Sequence, residues 1–467
     1  MKTKTLYLLF ITLTAAFGGF LYGFDTAVIS GTIPLVRSQF ALSPLWEGFF
    51  VCSAILIGGT TGAGFSGILS DYAGRKKAQI IAGLLLFISA YACGISHNEV
   101  QLIIARIIGG FGIGIVSTSS PLYISEISPA RHRGKLVAIF QFFITIGILI
   151  AYFSNSWIRS FSENHAMFKG FGKLFLVDEI WRGMFMAQMI TSGIFTLLLF
   201  FVPETPRFLV KQNNLQKAHI VLAKIAGVQQ ADVEISEIKN AINEEKGSFL
   251  ELFKPGLRKA LFVALALSLL SELSGITVVI YFAPDIFNKA GFSFGQALNG
   301  TVIIGLINVI FTLFVLCKVD SMGRRPLAFI GLAGVFACSV ATAIVLYLGI
   351  DNVYILIALL CAFVAFFSFS LGPIKFIVMN EIFPTKIRGM AVSIATFTIW
   401  LANGSLILAF PPMRDFLGRN HEIYGVAGSF LLFAAFLFPG FFFIWKVMPE
   451  TKGKSLEEIE KSWYKKS

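Results

Sequence analysis

The stretch from Gly19 to Gly31, GFLYGFDTAVISG, closes an uncharged run that begins at Leu6 and is long enough to cross a bilayer as a helix. Its one charged residue is Asp25. A charged side chain at the centre of a membrane helix costs about 2.5–3.5 kcal/mol on insertion scales, so a carboxylate there must face protein, lose its charge or meet a cation. Inside the other apolar runs of the N-terminal half, the only charge is Arg106, in LIIARIIGG. Because arginine stays protonated, only a partner or water relieves its burial.

These two charges predict an ion pair inside a helical bundle. In this interpretation Arg106 holds the Asp25 carboxylate ionised until another group competes for it. The alternative is that both residues lie near helix ends and extend their charged groups to the membrane surface. An ionisable group within a membrane helix is a functional-site candidate by default, which favours the first interpretation.

The composition predicts a membrane protein. Of the 467 residues, 56% are hydrophobic and 14% are charged, whereas a soluble domain carries roughly 25% charged residues. The apolar runs are about 20 residues long, which indicates membrane helices and excludes the short alternating strands of an outer-membrane barrel. The predicted fold class is therefore an all-α membrane protein with twelve transmembrane helices. Its predicted spans lie near 6–30, 48–69, 78–96, 101–122, 135–157, 183–202, 259–283, 297–317, 326–349, 353–379, 389–410 and 423–445.

The net charge of +12 is a topology signal. If the N-terminus is cytoplasmic, most of the 38 lysines and arginines fall in cytoplasmic segments, as the positive-inside rule requires. We therefore predict a multi-pass protein of the plasma (inner) membrane with both termini cytoplasmic and no nucleic-acid partner. The first apolar run has no small-residue cleavage site, so we interpret it as a retained span rather than a signal peptide. The five cysteines lie in or beside apolar runs without metal-ligand spacing, which favours packing roles.

Three charged signatures each occur twice along the chain. DYAGRKK is related to VDSMGRR, SEISPARHRGK to EIFPTKIRG, and PETPR to PETKG, with the copies in the same order and about 250 residues apart. This pattern predicts a duplicated six-helix unit. We expect the signatures to form interhelical pairs that act as a cytoplasmic gate; the alternative is that they anchor helix ends and set topology. The predicted gate residues are Asp71, Arg75, Glu126, Arg133, Glu204, Arg207, Asp320, Arg324, Glu381, Arg388 and Glu450.

A polar segment separates the two halves. Its stretches FLVKQNNLQKAHIVLAKIAG and VEISEIKNAINEE have helical periodicity with charged faces, which predicts short cytoplasmic helices under the bundle. The predicted domains are an N-terminal six-helix bundle at 1–203, a cytoplasmic helical linker at 204–258, a C-terminal six-helix bundle at 259–448 and a cytoplasmic tail at 449–467.

Together, GFLYGFDTAVISG, ARIIGGFGIG and the repeated signatures resemble the sugar porter family of the major facilitator superfamily, over almost the whole chain. This family includes bacterial xylose–proton symporters and facilitative glucose transporters. The resemblance implies two six-helix bundles around a central site that faces each side of the membrane in turn. In proton-coupled members an acid matching Asp25 takes up the proton and an arginine matching Arg106 pairs with it. A glutamate that assists in the bacterial xylose symporter is matched here by Gln188.

The resemblance also implies a substrate site. Gln141 matches a glutamine that binds sugar hydroxyls, and an amide suits such a ligand because it both donates and accepts. Asn308 and Trp400 match two further contacts, while Tyr22 and Tyr281 match aromatic wall positions. Asn403 completes this predicted set.

The seventh and tenth helices depart from the family pattern. Ser271, Glu272 and Thr277 stand where the family has amides, and Phe376 replaces a stacking tryptophan beside a new cation, Lys375. Glu272 and Lys375 have three open interpretations: they pair with each other, they contact a charged sugar or titrate, or Lys375 extends to the cytoplasmic face. All five residues belong to the predicted substrate site.

We predict a secondary active transporter that takes up a monosaccharide or related polyol with protons. The alternatives are an uncoupled facilitator and, less favoured, a sugar sensor that does not transport. The chain has no HExxH, GxSxG or GxxxxGK[ST] motif, so we expect neither an enzyme nor an ATP-driven pump. The expected partners are the small-molecule substrate, protons and the lipid bilayer, with no cofactor or metal and a monomeric state.

Overall fold

The computed structural model describes residues 2–129, 132–165, 170, 172–225, 227–243, 249–254, 256–350, 352–419 and 421–452. These residues form α-helices joined by short connections, with two π-helical turns and one 3-10 turn. The α-helices are α1 (Lys2–Phe40), α2 (Pro44–Ser53), α3 (Thr60–Ala73), α4 (Arg75–Ile95), α5 (Glu99–Ile127), α6 (Arg133–Asn164), α7 (Ile180–Phe200), α8 (Pro206–Lys211), α9 (Leu215–Ile225), α10 (Val228–Asn243), α11 (Leu257–Glu272), α12 (Ile276–Lys289), α13 (Phe294–Met322), α14 (Arg324–Tyr347), α15 (Val353–Ser368), α16 (Leu371–Glu381), α17 (Thr385–Gly418) and α18 (Glu422–Lys446).

The described residues contain twelve helical segments long and apolar enough to cross a membrane, which confirms the predicted fold class. Three of these segments join two α-helices each: α2 with α3, α11 with α12, and α15 with α16. Several spans are longer than predicted, because the helices continue past the apolar run into residues that carry charge. The first segment reaches Phe40 and the seventh reaches Lys289.

The chain divides into two compact units. The first comprises residues 1–32 and 53–245, and the second comprises residues 33–52 and 246–467. The domain boundaries predicted from the sequence stay a prediction, and these units differ from them in two ways. Residues 33–52, assigned to the N-terminal bundle, group with the second unit, and the linker helices α8 to α10 group with the first.

Close backbone contacts position the first unit's helices. A Cβ added at Gly23 of α1 would lie 1.9 Å from the Ile144 carbonyl oxygen of α6. One added at Gly110 of α5 would lie 1.8 Å from the carbonyl oxygen of Ala54, in the π-helical turn between α2 and α3. Only glycine permits such approaches, as is common between membrane helices.

The linker helices α8, α9 and α10 confirm the predicted helical linker. In α9 the apolar stripe of Val221, Leu222 and Ile225 is buried, which follows from its amphipathic pattern.

Two membrane segments of the second unit are broken. The α11–α12 break falls at residues 273–275, where Gly275 has a φ of +87°, a conformation that favours glycine. The α15–α16 break falls at Phe369 and Ser370. Non-helical backbone at membrane depth is tolerated only where it is buried in protein or lines a cavity, so these breaks mark the second unit's candidate site.

Candidate functional site

Asp25 and Arg106 form a buried ion pair in the first unit. Arg106 Nη1 on α5 donates to Asp25 Oδ1 on α1 at 2.8 Å, and the two residues are 1% and 4% exposed. The Phe185 ring of α7 covers the guanidinium, with 5.6 Å from Cζ to the ring centroid. The two charges therefore meet inside the unit instead of extending to the membrane surface. Removing one partner of such a pair costs about 3–5 kcal/mol because the other charge stays buried.

Gln188 lies one turn along α7 from Phe185. It is 3% exposed, and its Nε2 has no hydrogen-bond partner among the residues that the structure describes. Because an amide does not titrate in the physiological range, Gln188 adds no titratable group beside the Asp25–Arg106 pair.

The first unit also carries two of the predicted substrate residues. Tyr22 lies one turn before Asp25 on α1, and Gln141 lies on α6. Both side chains are half-buried, which leaves part of each accessible to a ligand.

The second unit holds its own buried ion pair, between the two broken segments. Lys375 Nζ near the start of α16 donates to Glu272 Oε1, at the end of α11, at 2.5 Å. Glu272 and Lys375 are 3% and 7% exposed, and Lys375 Nζ also donates to Ser271 Oγ at 3.0 Å. The sequence left three interpretations open for these two residues. The structure agrees with the first of them, in which Glu272 and Lys375 pair with each other.

Two further donors bind the same carboxylate. Thr277 Oγ1 donates to Glu272 Oε2 at 3.2 Å, and Asn403 Nδ2 of α17 donates to the same oxygen at 3.1 Å. The structure thus brings Ser271, Glu272, Thr277, Lys375 and Asn403 together in one hydrogen-bonded cluster, which we call the 272–375 cluster. Its formal charges cancel.

The remaining predicted substrate residues lie around these helices. Asn308 of α13 is buried, and its Oδ1 accepts from Ser368, the last residue of α15, at 2.8 Å. Trp400 and Tyr281 are 4% and 1% exposed, whereas Phe376 is half-buried. Lys375 Nζ lies 5.2 Å from the Phe376 ring centroid. Of the three aromatic side chains, Phe376 offers the most accessible face.

The repeated signatures form a charge network in each unit. In the first, Arg75 Nη2 lies 3.0 Å from Glu126 Oε1 and 3.4 Å from Asp71 Oδ1. Glu204 Oε1 accepts from the backbone N–H groups of Arg75 and Lys76, at 3.1 and 3.2 Å. Burial raises the pKa of Glu204 above its ordinary value, although these N–H bonds oppose the shift.

The second unit repeats this geometry. Arg324 Nη2 donates to Glu381 Oε1 at 2.8 Å, and Glu450 accepts from the backbone N–H groups of Arg324 and Arg325, each at 3.0 Å. Burial would raise the pKa of Glu450, but its backbone N–H bonds outweigh burial and lower it.

Four predicted gate residues fall outside these networks. Arg133 and Arg207 are exposed, and Arg388 Nε donates to the Phe383 carbonyl oxygen at 3.3 Å. The side chain of Asp320 lies outside the described part of the structure.

The sequence did not predict a further group of charges in the second unit, the four-charge cluster of Arg37, Glu47, Asp285 and Arg414. Arg37 Nη2 lies 2.7 Å from Asp285 Oδ1, and Arg37 Nη1 lies 3.3 Å from Glu47 Oε2. Arg414 Nη1 lies 2.8 Å from Asp285 Oδ2 and 3.5 Å from Glu47 Oε1. Each arginine thus bridges the same two carboxylates.

The four-charge cluster is buried, since Glu47, Asp285 and Arg414 are 1%, 2% and 3% exposed. It fastens the C-terminal end of α1 and the start of α2 to α12 and α17, which explains why residues 33–52 group with the second unit. The sequence signal that could have indicated this cluster is that its two positive and two negative residues lie just beyond the ends of the predicted spans. In the described part of the chain, no three His, Cys, Asp or Glu residues are grouped as a metal site requires.

The described residues thus contain twelve helical segments long and apolar enough to cross a membrane, two of them broken in the second unit, and a buried ion pair in each unit. These features are those of a polytopic membrane transporter. Residues 11–463 match the family model "Sugar (and other) transporter", so the chain belongs to this family.

Similar proteins and solved structures support the same family assignment. The chain is 40% identical to the arabinose-proton symporter of Bacillus subtilis over 463 residues, which cover 98% of this chain and 96% of the relative. It is 36% identical to the D-xylose-proton symporter of Escherichia coli K12, covering 98% and 96%. The structure of the inward open xylose transporter of Escherichia coli matches with a TM-score of 0.81 and 33% identity, covering 98% of this chain and all of that one. The protein is a multi-pass sugar porter of the major facilitator type and not an enzyme.

Proposed function

We propose that this protein takes up a monosaccharide or a related polyol together with protons, by alternating access. The observation that carries the proposal is the buried Asp25–Arg106 pair. Arginine keeps its charge, so the carboxylate is the member that exchanges a proton. The names of the similar symporters support a neutral sugar as the substrate.

In this mechanism the ionised Asp25 binds Arg106 and holds α1 against α5. A proton that enters from outside binds the carboxylate and cancels its charge, which weakens the attraction between the helices. The release of the proton on the inner side restores the pair. The proton gradient thereby provides the free energy for the change in helix position during transport.

The predicted substrate residues suit such a ligand. Gln141 has an amide that both donates to and accepts from sugar hydroxyls. Asn308 offers its Nδ2 group as a donor, because its Oδ1 accepts from Ser368 and Thr312. Phe376 and Tyr22 provide partly exposed aromatic faces for the apolar side of a sugar ring.

The charge networks complete the proposal. We assign Arg75–Glu126 and Arg324–Glu381 to a cytoplasmic gate whose pairs hold the inner helix ends together until the substrate is released. The distribution of lysine and arginine supports an inner-membrane location with both termini cytoplasmic. We further propose that the transporter is a monomer.

The proposal is tested by uptake into proteoliposomes with an imposed inward proton gradient, using arabinose, xylose, glucose and a polyol. Wild type is compared with Asp25→Asn, which keeps the shape and removes the titrating group. The matched control is Asp178→Asn, at an exposed surface position. We expect wild type and the control to accumulate one of these substrates above the external concentration, whereas Asp25→Asn only exchanges it downhill.

Two outcomes would contradict the proposal. Equilibration that ignores the gradient in all three proteins would identify an uncoupled facilitator. Substrate binding without any flux would identify a sensor.

A further inference from the structure

The 272–375 cluster joins the two places where the second unit's membrane helices are broken. Glu272 is the last residue of α11, and Thr277 stands across the break in the first turn of α12. Lys375 lies just beyond the break between α15 and α16. A carboxylate and an ammonium have thus been placed where irregular backbone indicates a ligand site.

The bonds of this pair differ from those of a structural cation. Buried Arg182 pairs with Glu179 and also donates to the carbonyl oxygens of Gly94 and Ser96, and so caps the end of α4. All hydrogen bonds seen for the Glu272 and Lys375 side chains instead go to other side chains, including Ser271 and Asn403. Side chains that bind each other can rearrange around a ligand without disturbing a helix.

The cluster also contains an unused acceptor. The Oδ1 atom of Asn403 is buried and has no hydrogen-bond partner among the described residues, while its Nδ2 donates to Glu272. A buried acceptor without a donor is costly, and a sugar hydroxyl would satisfy it. The ring of Phe376 is half-buried and provides an apolar face beside the Lys375 ammonium of the cluster.

We propose that the Glu272–Lys375 pair sets the charge selectivity of the substrate site, an inference that rests on the proposed function. While the pair is intact, the cluster is neutral and favours an uncharged sugar, whose hydroxyl donates to Asn403. A sugar acid must draw Lys375 away and leave Glu272 buried and unpaired. A protonated amino sugar must draw Glu272 away and leave Lys375 unpaired, so the pair excludes both charged classes.

Breaking the pair on one side therefore changes the preference in a defined direction. Glu272→Gln leaves the ammonium without its carboxylate and favours a sugar acid. Lys375→Gln leaves the carboxylate without its ammonium and favours a protonated amino sugar. The double variant Glu272→Gln/Lys375→Gln is neutral again, and it is the matched control because it contains both substitutions.

The experiment is isothermal titration calorimetry on the purified full-length protein in nanodiscs. The ligands are D-glucose, D-glucuronate and D-glucosamine, together with the corresponding galactose series. We expect wild type and the double variant to bind the neutral sugar at least about tenfold more tightly than either charged one. Glu272→Gln should shift the ratio of acid to neutral affinity by about tenfold towards the acid, and Lys375→Gln should shift the amino-sugar ratio equally.

Each outcome of the calorimetry either supports or contradicts the selectivity role of the Glu272–Lys375 pair. If wild type binds either charged sugar as tightly as the neutral one, or if both single variants keep the wild-type ratios, the selectivity role is wrong. If one single variant does not fold, the other and the wild-type competition between neutral and charged sugars still carry the test. If wild type binds none of these sugars and also none of arabinose, xylose and the polyol used in the uptake assay, the proposed function itself fails, which distinguishes the two claims.

Discussion

At the scale of single residues, the two interior ion pairs differ in their cations. Arg106 is always charged, so the pair with Asp25 changes its total charge only by taking a proton from outside. Lys375 instead carries a compact ammonium on a flexible stem, and it donates to both Glu272 and Ser271. We propose proton coupling for the first pair and charge selectivity for the second.

The first prediction concerns Arg106, the member of the first pair that always carries its charge. Arg106→Lys keeps the charge but loses the planar guanidinium that both donates to Asp25 and packs on Phe185. We expect uphill uptake in proteoliposomes to fall by about tenfold, the equivalent of ~1.4 kcal/mol. Arg159→Lys, in a partly exposed pair with Glu163, is the matched control and should stay at the wild-type rate. Equal rates for both variants would show that any cation suffices at position 106.

A second residue-scale prediction concerns the donors to Glu272. Thr277→Val keeps the side-chain shape and removes the hydroxyl that donates to Glu272 Oε2. We expect the affinity for the neutral sugar to fall by about tenfold or more, since one hydrogen bond to a charged group contributes roughly 1.5–3 kcal/mol. Thr301→Val on α13, where the hydroxyl bonds only a carbonyl of its own helix, is the control. Calorimetry that finds no difference between the two variants would remove Thr277 from the site.

At the scale of helices, the four-charge cluster fastens segments that are far apart in sequence. The helices that carry Arg37, Asp285 and Arg414 run past the apolar part of their spans, and their last turns bury charge that the cluster neutralises. Burying these groups is tolerable only because each has a partner of opposite charge.

We therefore expect Asp285→Asn to destabilise the protein by about 3–5 kcal/mol, because a buried negative charge is lost beside both arginines. Arg37 then keeps only Glu47 of the cluster's two carboxylates, and Arg414 keeps Glu47 and the partly exposed Asp415. The measurement is the thermal unfolding midpoint in detergent, which should fall by several degrees. Asp178→Asn, in an exposed pair with Lys173, should leave the midpoint unchanged. Adding Arg414→Gln to Asp285→Asn should restore part of the loss, and a strictly additive double variant would contradict the pairing.

At the scale of the whole molecule, the two halves contain the same charge network with one electrostatic difference. The pKa of Glu204 is raised by burial, whereas that of Glu450 is lowered by its backbone N–H bonds. Glu450 therefore stabilises the fold at a pH above the pKa that it has in the unfolded chain. This contribution is lost as the pH falls through the lower pKa that Glu450 has in the folded protein. Glu204 stabilises the fold at a pH below the pKa that it has in the unfolded chain. This contribution is lost as the pH rises through the higher pKa that Glu204 has in the folded protein.

This difference predicts opposite effects of matched substitutions. Between about pH 6 and 3.5, Glu450→Gln should lose less thermal stability on acidification than wild type, and Glu204→Gln should lose more. Unfolding midpoints measured across this range check the sign. Parallel pH profiles for the two variants would contradict the assignment.

Composition and hydrophobic run length determined the all-helical fold with twelve spans, since a bilayer requires about 20 apolar residues for each crossing. The repeated signatures determined the duplication. The Asp25–Arg106 pair was predictable because those charges are alone within the apolar runs of their half. The tertiary structure decided which interpretation held for Glu272 and Lys375, which are 103 residues apart, and it alone revealed the four-charge cluster. The physical reason is that apolar runs report burial in lipid but do not say which charges meet. Glu272 and Lys375 lie within such runs and the four-charge cluster lies just beyond their ends, and in both cases only packing brings the partners together.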